Sequence, residues 1–339
     1  RLPLGLEGET SGLIHLIPGD KPSDVEVKIN LDLQDSRFYI PRLELTKLEG
    51  EDAQVMASLN ISDGHLRKIS NIEVVSDAIS LKGDIFLDQE RMLNTARFDV
   101  VEWPGNALSD VNIRREADES LSISASASVM DLRPLRLKES PGEGLKMQID
   151  LSAERLLLDT RLSVAGNVSI QTREDGSGKA DFLGNLYLME APFITEATLA
   201  AEFGGDNEYM RGQGLIGGVE ADLTMRSGQD DGDHLVLTTG NAGQVLKALS
   251  ITDAIRGGNM TMTVLYAPDD ASYYTANFAL TDFRVIEAPT AVRMLSVLSL
   301  AGLYSLIEGD GTAFTEGQAR ISVTPDQQRI EYAKARGDA

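Results

Sequence analysis

The stretch "VEVKINLDLQ" (Val25 to Gln34) decides the class of the fold. Val25, Val27, Ile29, Leu31 and Leu33 alternate with Glu26, Lys28, Asn30, Asp32 and Gln34, which puts the apolar side chains on one face of a strand and the polar ones on the other. A helix would scatter the same residues around its circumference. The period recurs in "SLSISASASVM", where Leu121, Ile123, Ala125, Ala127 and Val129 alternate with serines, in "LKMQIDLS", and in "NMTMTVLY" through Met260, Met262 and Val264.

Turn signals separate these runs: Ser62-Asp63-Gly64, Lys82-Gly83-Asp84, Pro104-Gly105-Asn106, Asp175-Gly176, Gly204-Gly205-Asp206 and Asp231-Gly232. Their spacing predicts roughly twenty strands of about 8 to 12 residues, joined as hairpins and meanders, with no recurring strand-helix-strand unit. The expected fold is mainly β: an elongated, twisted antiparallel sheet. Two short helices break the pattern near the C-terminal end. "NAGQVLKALSITDAIRGG" has Asn241 as N-cap, Gln244 at the capping-box position, an apolar stripe of Val245, Leu246, Leu249 and Ile255, and Gly257 as terminator. "APTAVRMLSVLSLAGLYSLIEGDG" is launched by Pro289 and followed by Gly309 and Gly311.

The 339 residues include 31 Lys and Arg against 53 Asp and Glu, a net charge of -22, so the summed field repels nucleic acid. No cysteine is present, which removes disulfides, thiolate metal sites and cysteine nucleophiles. No run reaches the roughly 18 to 20 apolar residues of a membrane span, because Arg293, Ser296, Ser299 and Ser305 interrupt the longest one. The chain begins at Arg1 without a signal-like segment and reads as a processed or excised piece.

The motifs that hint at chemistry have structural readings beside them. "GQGLIGG" matches the dinucleotide fingerprint through Gly212, Gly214 and Gly217, but "VEADLTMRSG" follows as a strand where the fingerprint requires a helix, so a glycine-rich hairpin is the expected structure. In "GQDDGDH", Asp230, Asp231, Asp233 and His234 offer fewer oxygens than a calcium loop requires and suit a hairpin tip. His15, His65 and His234 are isolated in different segments, so no local zinc spacing forms. The single Trp103, before Pro104-Gly105, is expected to anchor a strand end. No metal, cofactor or catalytic residue is nominated. Aromatic residues make up only 5% of the chain, so the apolar strand faces are aliphatic and suit acyl chains better than aromatic cofactors or sugars. Ordinary sandwich cores look the same.

From Asn241 onward the order of elements resembles the AsmA-like C-terminal region of the AsmA, TamB and YhdP group of bacterial envelope proteins. The residues that carry the resemblance are Asp282-Phe283 with Val285, Ala288-Pro289, Met294-Leu295-Ser296 with Leu300, Gly302-Leu303, the Glu308-Gly309-Asp310-Gly311 turn and Phe314. "IDLSAERLLLD" and "LSVAGNVSIQ" resemble the paired strands that precede this region in such proteins. The resemblance implies a sheet curling into a hydrophobic groove, a β-taco, with a groove-repeat segment over 1–145 and the AsmA-like region over 146–339, its helices near 241–256 and 289–308, as two segments or as one continuous unit. It also implies a non-enzymatic periplasmic protein of a Gram-negative bacterium that carries phospholipids between inner and outer membranes, with its inner-membrane anchor outside this chain. The groove lining is then expected from Val27, Ile29, Leu31, Leu121, Ile123, Met260, Met262, Val264, Leu295, Leu298 and Leu303. The alternative is a structural or assembly module, a closed sandwich or solenoid without lipid transport.

Overall fold

A computed structural model describes residues 5–40, 45–90, 92–133, 146–158, 162–188, 190–204, 208–226, 233–267, 270–286, 311–324 and 326–337. The chain is mainly β and divides into two compact units, residues 1–178 and 179–339. The strands that the sequence places in its C-terminal region at Met147–Leu157 and Leu162–Thr172 thus belong to the first unit.

The first unit opens with β1 (Gly5–Gly8), β2 (Ser11–Pro18), β3 (Asp24–Asp32), β4 (Ser36–Ile40), β5 (Leu45–Lys47), β6 (Ala53–Ser62) and β7 (His65–Ser76). It continues through β8 (Ser80–Leu87), β9 (Leu93–Trp103), β10 (Asn106–Arg115), β11 (Leu121–Asp131), β12 (Met147–Leu157) and β13 (Leu162–Thr172). Strands β1, β4 and β5 form a small antiparallel sheet. The others pair in the order β2, β3, β6, β7, β8, β9, β10, β11, β12, β13. One pairing corrects the antiparallel expectation: β11 and β12 run parallel, from Leu121 opposite Met147 to Asp131 opposite Leu157. Leu132 to Lys146 separate the two strands in sequence, enough chain for the crossover of about a dozen residues or more that a parallel neighbour needs.

The small sheet is tied to the large one by two devices. Phe38, Leu45 and Ala78 form a buried cluster against which Ile40, Ile79 and Trp103 pack, so Trp103 does anchor the end of its strand. Lys47 is wholly enclosed. Its ammonium donates to the carbonyls of Leu33 (2.6 Å), Gln34 (2.9 Å), Ser36 (2.5 Å) and Leu48 (3.0 Å).

The second unit contains β14 (Gly178–Leu188), β15 (Ala191–Phe203), β16 (Tyr209–Ile216), β17 (Val219–Arg226), β18 (His234–Thr239), α1 (Ala242–Ala248), β19 (Ile255–Ala267), β20 (Asp270–Val285), β21 (Thr312–Thr324) and β22 (Gln327–Arg336). From β15 to β22 each strand pairs antiparallel with the next. The glycine motif is a hairpin: Gly217 (φ 60°) and Gly218 (φ 79°) turn β16 into β17, with Ile216 opposite Val219.

Helix α1 is capped as expected, since the Asn241 side chain accepts from the Gln244 N–H at 3.2 Å, but it is shorter than the 241–256 span. Ser250 adopts a left-handed conformation (φ 57°), its N–H donating to the Lys247 carbonyl and that of Ile251 to the Leu246 carbonyl. This Schellman arrangement stops the helix before Gly257, and Ile255 opens β19 instead of extending the stripe. The expected helix at 289–308 lies outside the described residues. No described helix is long and apolar enough to cross a membrane.

Candidate functional site

Strand register assembles the alternating residues of the first unit into continuous rows. Leu16 of β2 stands opposite Val27, and the row continues through Leu59, Ile69, Ile85, Ala96, Ile113, Ile123 and Ile149 to Ile170 of β13. A second row runs through Gly12, Leu31, Val55, Val74, Leu81, Val101, Leu108, Ala127, Ala153 and Gly166. Each crosses ten strands without a polar residue. At roughly 4.8 Å per strand the rows are about 43 Å long, perpendicular to the strands.

Both rows lie on one face only because three strands carry an extra residue. Between rows, β3 advances by four residues, Val27 to Leu31, whereas β7 advances by five from Ile69 to Val74 and β10 by five from Leu108 to Ile113. The additional residues are Asn71 and Asp110, both left-handed at φ 51° and both at register shifts. In β9 the shift falls between Phe98 and Val100. Such bulges restore the apolar phase after interrupting it. The Asn71 N–H, freed from the ladder, donates to the Asp84 carboxylate at 2.9 Å on β8. The device recurs in the second unit, where Glu196 (φ 53°) donates its N–H to the Asn185 amide oxygen at 3.0 Å.

The face of the first unit is incompletely covered. The buried members of the two rows are all alanines, Ala96, Ala127 and Ala153, shielded by larger neighbours, while every Leu, Ile and Val in them is half-buried or exposed. Only Gly12 and Leu16, both on β2, are fully exposed, so the face is neither bare nor packed shut.

The second unit builds the same pattern and covers it. Met262 of β19 stands in the row Leu199, Gly212, Leu223, Leu237, Met262, Phe278, Ala319 and Ala333. Met260 and Val264 occupy the rows on either side. Here Leu237, Met260, Met262, Val264, Ala276, Phe278 and Leu280 are buried.

The expected lining residues therefore separate. Val27 and Ile123 lie half-buried in the first row, Leu31 in the second, and Ile29 between them opposite Ile14 and Ala57. Leu121 sits at the margin, between Arg115 and Met147. Met260, Met262 and Val264 are core. Leu295, Leu298 and Leu303 lie outside the described residues, as do Asp230 and Asp231. Bulges and pairing order bring Ile69, Ile85, Ile113 and Ile149 into the same row, which alternation within a single strand does not reveal.

Among the described residues, no group of three or more His, Asp or Glu side chains is placed to hold a metal ion. His15, His65 and His234 are placed on β2, β7 and β18. A recess of about 460 Å³ beside α1 is lined by Asn241, Gln244, Lys247, Asp253 and Arg256 among others, with charges of both signs. Asp118 is held below the usual carboxylate range by hydrogen bonds from Lys146 and Ser120, Asp131 by those from Arg133, and Asp175 by those from Ser177. All three shift away from the neutral range in which a general acid or base works. Burial, followed by the neighbouring Tyr274 and Asp233, raises the Tyr266 hydroxyl.

Comparison of the chain with family models, curated proteins and solved structures finds no match.

Proposed function

We propose that this chain is a segment of a non-enzymatic, bridge-like protein that binds phospholipid acyl chains on its apolar sheet face and passes lipids between the inner and outer membranes of a Gram-negative bacterium. The observation that supports this reading is the pair of aliphatic rows crossing ten strands with no large side chain buried. Apolar surface left in water costs roughly 25 cal/mol per Å², so a ligand that covers what these rows still expose is stabilised there. An acyl chain laid along a row removes that surface from water at about 0.8 kcal/mol per buried methylene.

The dimensions and chemistry agree. A row of about 43 Å exceeds the roughly 30 Å hydrocarbon core of a whole bilayer, and hence the length of one acyl chain. Each strand offers the chain another aliphatic residue, so movement along the row exchanges one contact for a similar one. Curling of the sheet around the lipid, a helix at 289–308 against the groove and a periplasmic location belong to the same proposal.

Native mass spectrometry after mild purification tests it, together with crosslinking to a phospholipid carrying a photoreactive acyl chain. Ile85→Asp and Ile123→Asp are expected to reduce crosslinking at least tenfold, whereas Ser122→Asp, on the opposite phase of β11, leaves it unchanged. Absence of co-purified phospholipid together with no acyl crosslinking overturns the reading. A structural module that takes up strands at its edges is the second reading, favoured by the exposure of β2.

A further inference from the structure

Strand β2 contributes Gly12 and Leu16 to the two rows, but it also presents an outer backbone edge that lipid binding on the sheet face does not require. All its residues are exposed, and Leu13, Ile14 and Leu16 retain 64%, 65% and 69% of their surface. Its apolar residues occupy both phases: Ile14 and Leu16 share the face of Ile29 and Val27, while Leu13 and Ile17 stand on the other. Strands apolar on both faces are normally interior ones. Among the described residues, β2 has one ladder, to β3.

The backbone shows which groups face the other edge. The Gly19 N–H donates to the Asp24 carbonyl at 2.8 Å, in register with Pro18 opposite Val25. Because antiparallel strands alternate between hydrogen-bonded and non-hydrogen-bonded pairs, the odd-numbered residues Ser11 to Ile17 direct their N–H and C=O to β3. Gly12, Ile14 and Leu16 direct theirs outward, as does Pro18, which has only the carbonyl to offer.

This edge is self-complementary. In "GLIHLIP", a two-fold axis through His15 sets Ile14 opposite Leu16 of a second copy, Leu13 opposite Ile17 and Gly12 opposite Pro18. The outward-facing Ile14 and Leu16 are then the hydrogen-bonded pairs, and the Gly12 N–H meets the Pro18 carbonyl of the second copy. Ser11–Pro18 contains no Asp, Glu, Lys or Arg, so two chains of net charge -22 can meet here without opposing carboxylates within the strand. We propose that the protein forms a closed two-fold dimer by antiparallel pairing of β2 with β2 of a second copy, centred on His15.

The native absence of cysteine makes the register testable. In the dimer the two His15 positions form a non-hydrogen-bonded pair with Cα atoms about 4.5 Å apart, within disulfide range, whereas the two Leu13 positions are about 14 Å apart. The full chain is expected to be dimeric by light scattering, and His15→Cys to oxidise to a covalent dimer at least tenfold faster than Leu13→Cys. Leu16→Pro removes an outward N–H that β3 does not use, and should raise the dimer dissociation constant at least tenfold with an unchanged far-ultraviolet dichroism spectrum. A monomer at every accessible concentration, whether bare or carrying lipid or a foreign strand on β2, overturns the proposal. So does equal crosslinking at positions 13 and 15, or a Leu16→Pro chain that folds and dimerises as before. These readouts contain no lipid, so they succeed or fail separately from the lipid reading.

Discussion

Lys47 stands two residues after buried Leu45, in the apolar phase of its strand, yet it is the largest wholly enclosed side chain of the first unit. Its four acceptors are backbone carbonyls, which bring β5 to the connection between β3 and β4. Lys47→Met keeps much of the packing and leaves those carbonyls without their donor. Each unsatisfied buried group costs about 1–3 kcal/mol, so a loss of about 3 kcal/mol is expected after partial rehydration. Trp103, the single tryptophan, packs on the adjoining cluster, and its fluorescence during urea unfolding reports the loss where it occurs. An unchanged midpoint would show that the ammonium contributes nothing. The sequence carried a sign of this residue, a lysine at an apolar position, but its acceptors come from a loop whose path the local pattern does not reveal.

At the scale of the strand, period two made the elements legible, and "VEVKINLDLQ" and "NMTMTVLY" both fold as strands in the phase they display. The period is least readable where strands bulge. In "KISNIEVV" the apolar phase changes at Asn71, and only the left-handed turn there explains how Ile69 and Val74 share a face. Asn71→Val should cost about 1–2 kcal/mol, the penalty for a branched side chain in the left-handed region, while Asn71→Gly should be nearly neutral. Thermal unfolding separates the two; equal effects would remove the bulge from the account.

The parallel pairing of β11 with β12 was not legible either, since nothing in the two strands distinguishes a parallel from an antiparallel neighbour. At the head of this pair Lys146 donates to Asp118, which also accepts from the Ser120 hydroxyl at 2.6 Å. The carboxyl is thereby lowered from its ordinary range. A group depressed in the folded state contributes stability above its unfolded pKa, roughly 3.9, and loses that contribution as pH falls through its lower folded value. Lys146→Met should move the Asp118 titration upward in a carboxyl NMR experiment. Its remaining in place would assign the shift to Ser120 alone.

At the scale of the whole molecule, one strand pattern yields two degrees of coverage. Ile123 and Met262 both occupy the apolar phase of an alternating strand, and the sequence gives no reason to separate them. One is half-buried in a partly exposed row and the other is buried in a core row. What separates them is long-range, namely which apolar neighbours the register brings alongside and what lies above the face. Composition cannot report this, because aliphatic residues line open rows and closed ones alike.

The native chain offers a direct measurement, since any introduced cysteine is its only thiol. Ile123→Cys should react with a small maleimide at least tenfold faster than Met262→Cys, whose thiol becomes accessible only when the second unit opens locally. Phospholipid vesicles or micelles should slow the first reaction and leave the second unchanged, because only the open row has surface for an acyl chain to cover. Equal labelling rates would mean that both faces are closed, and the first unit would then be a packed sheet with no place for lipid. Fast labelling that lipid does not slow would keep the open face and remove the lipid from it.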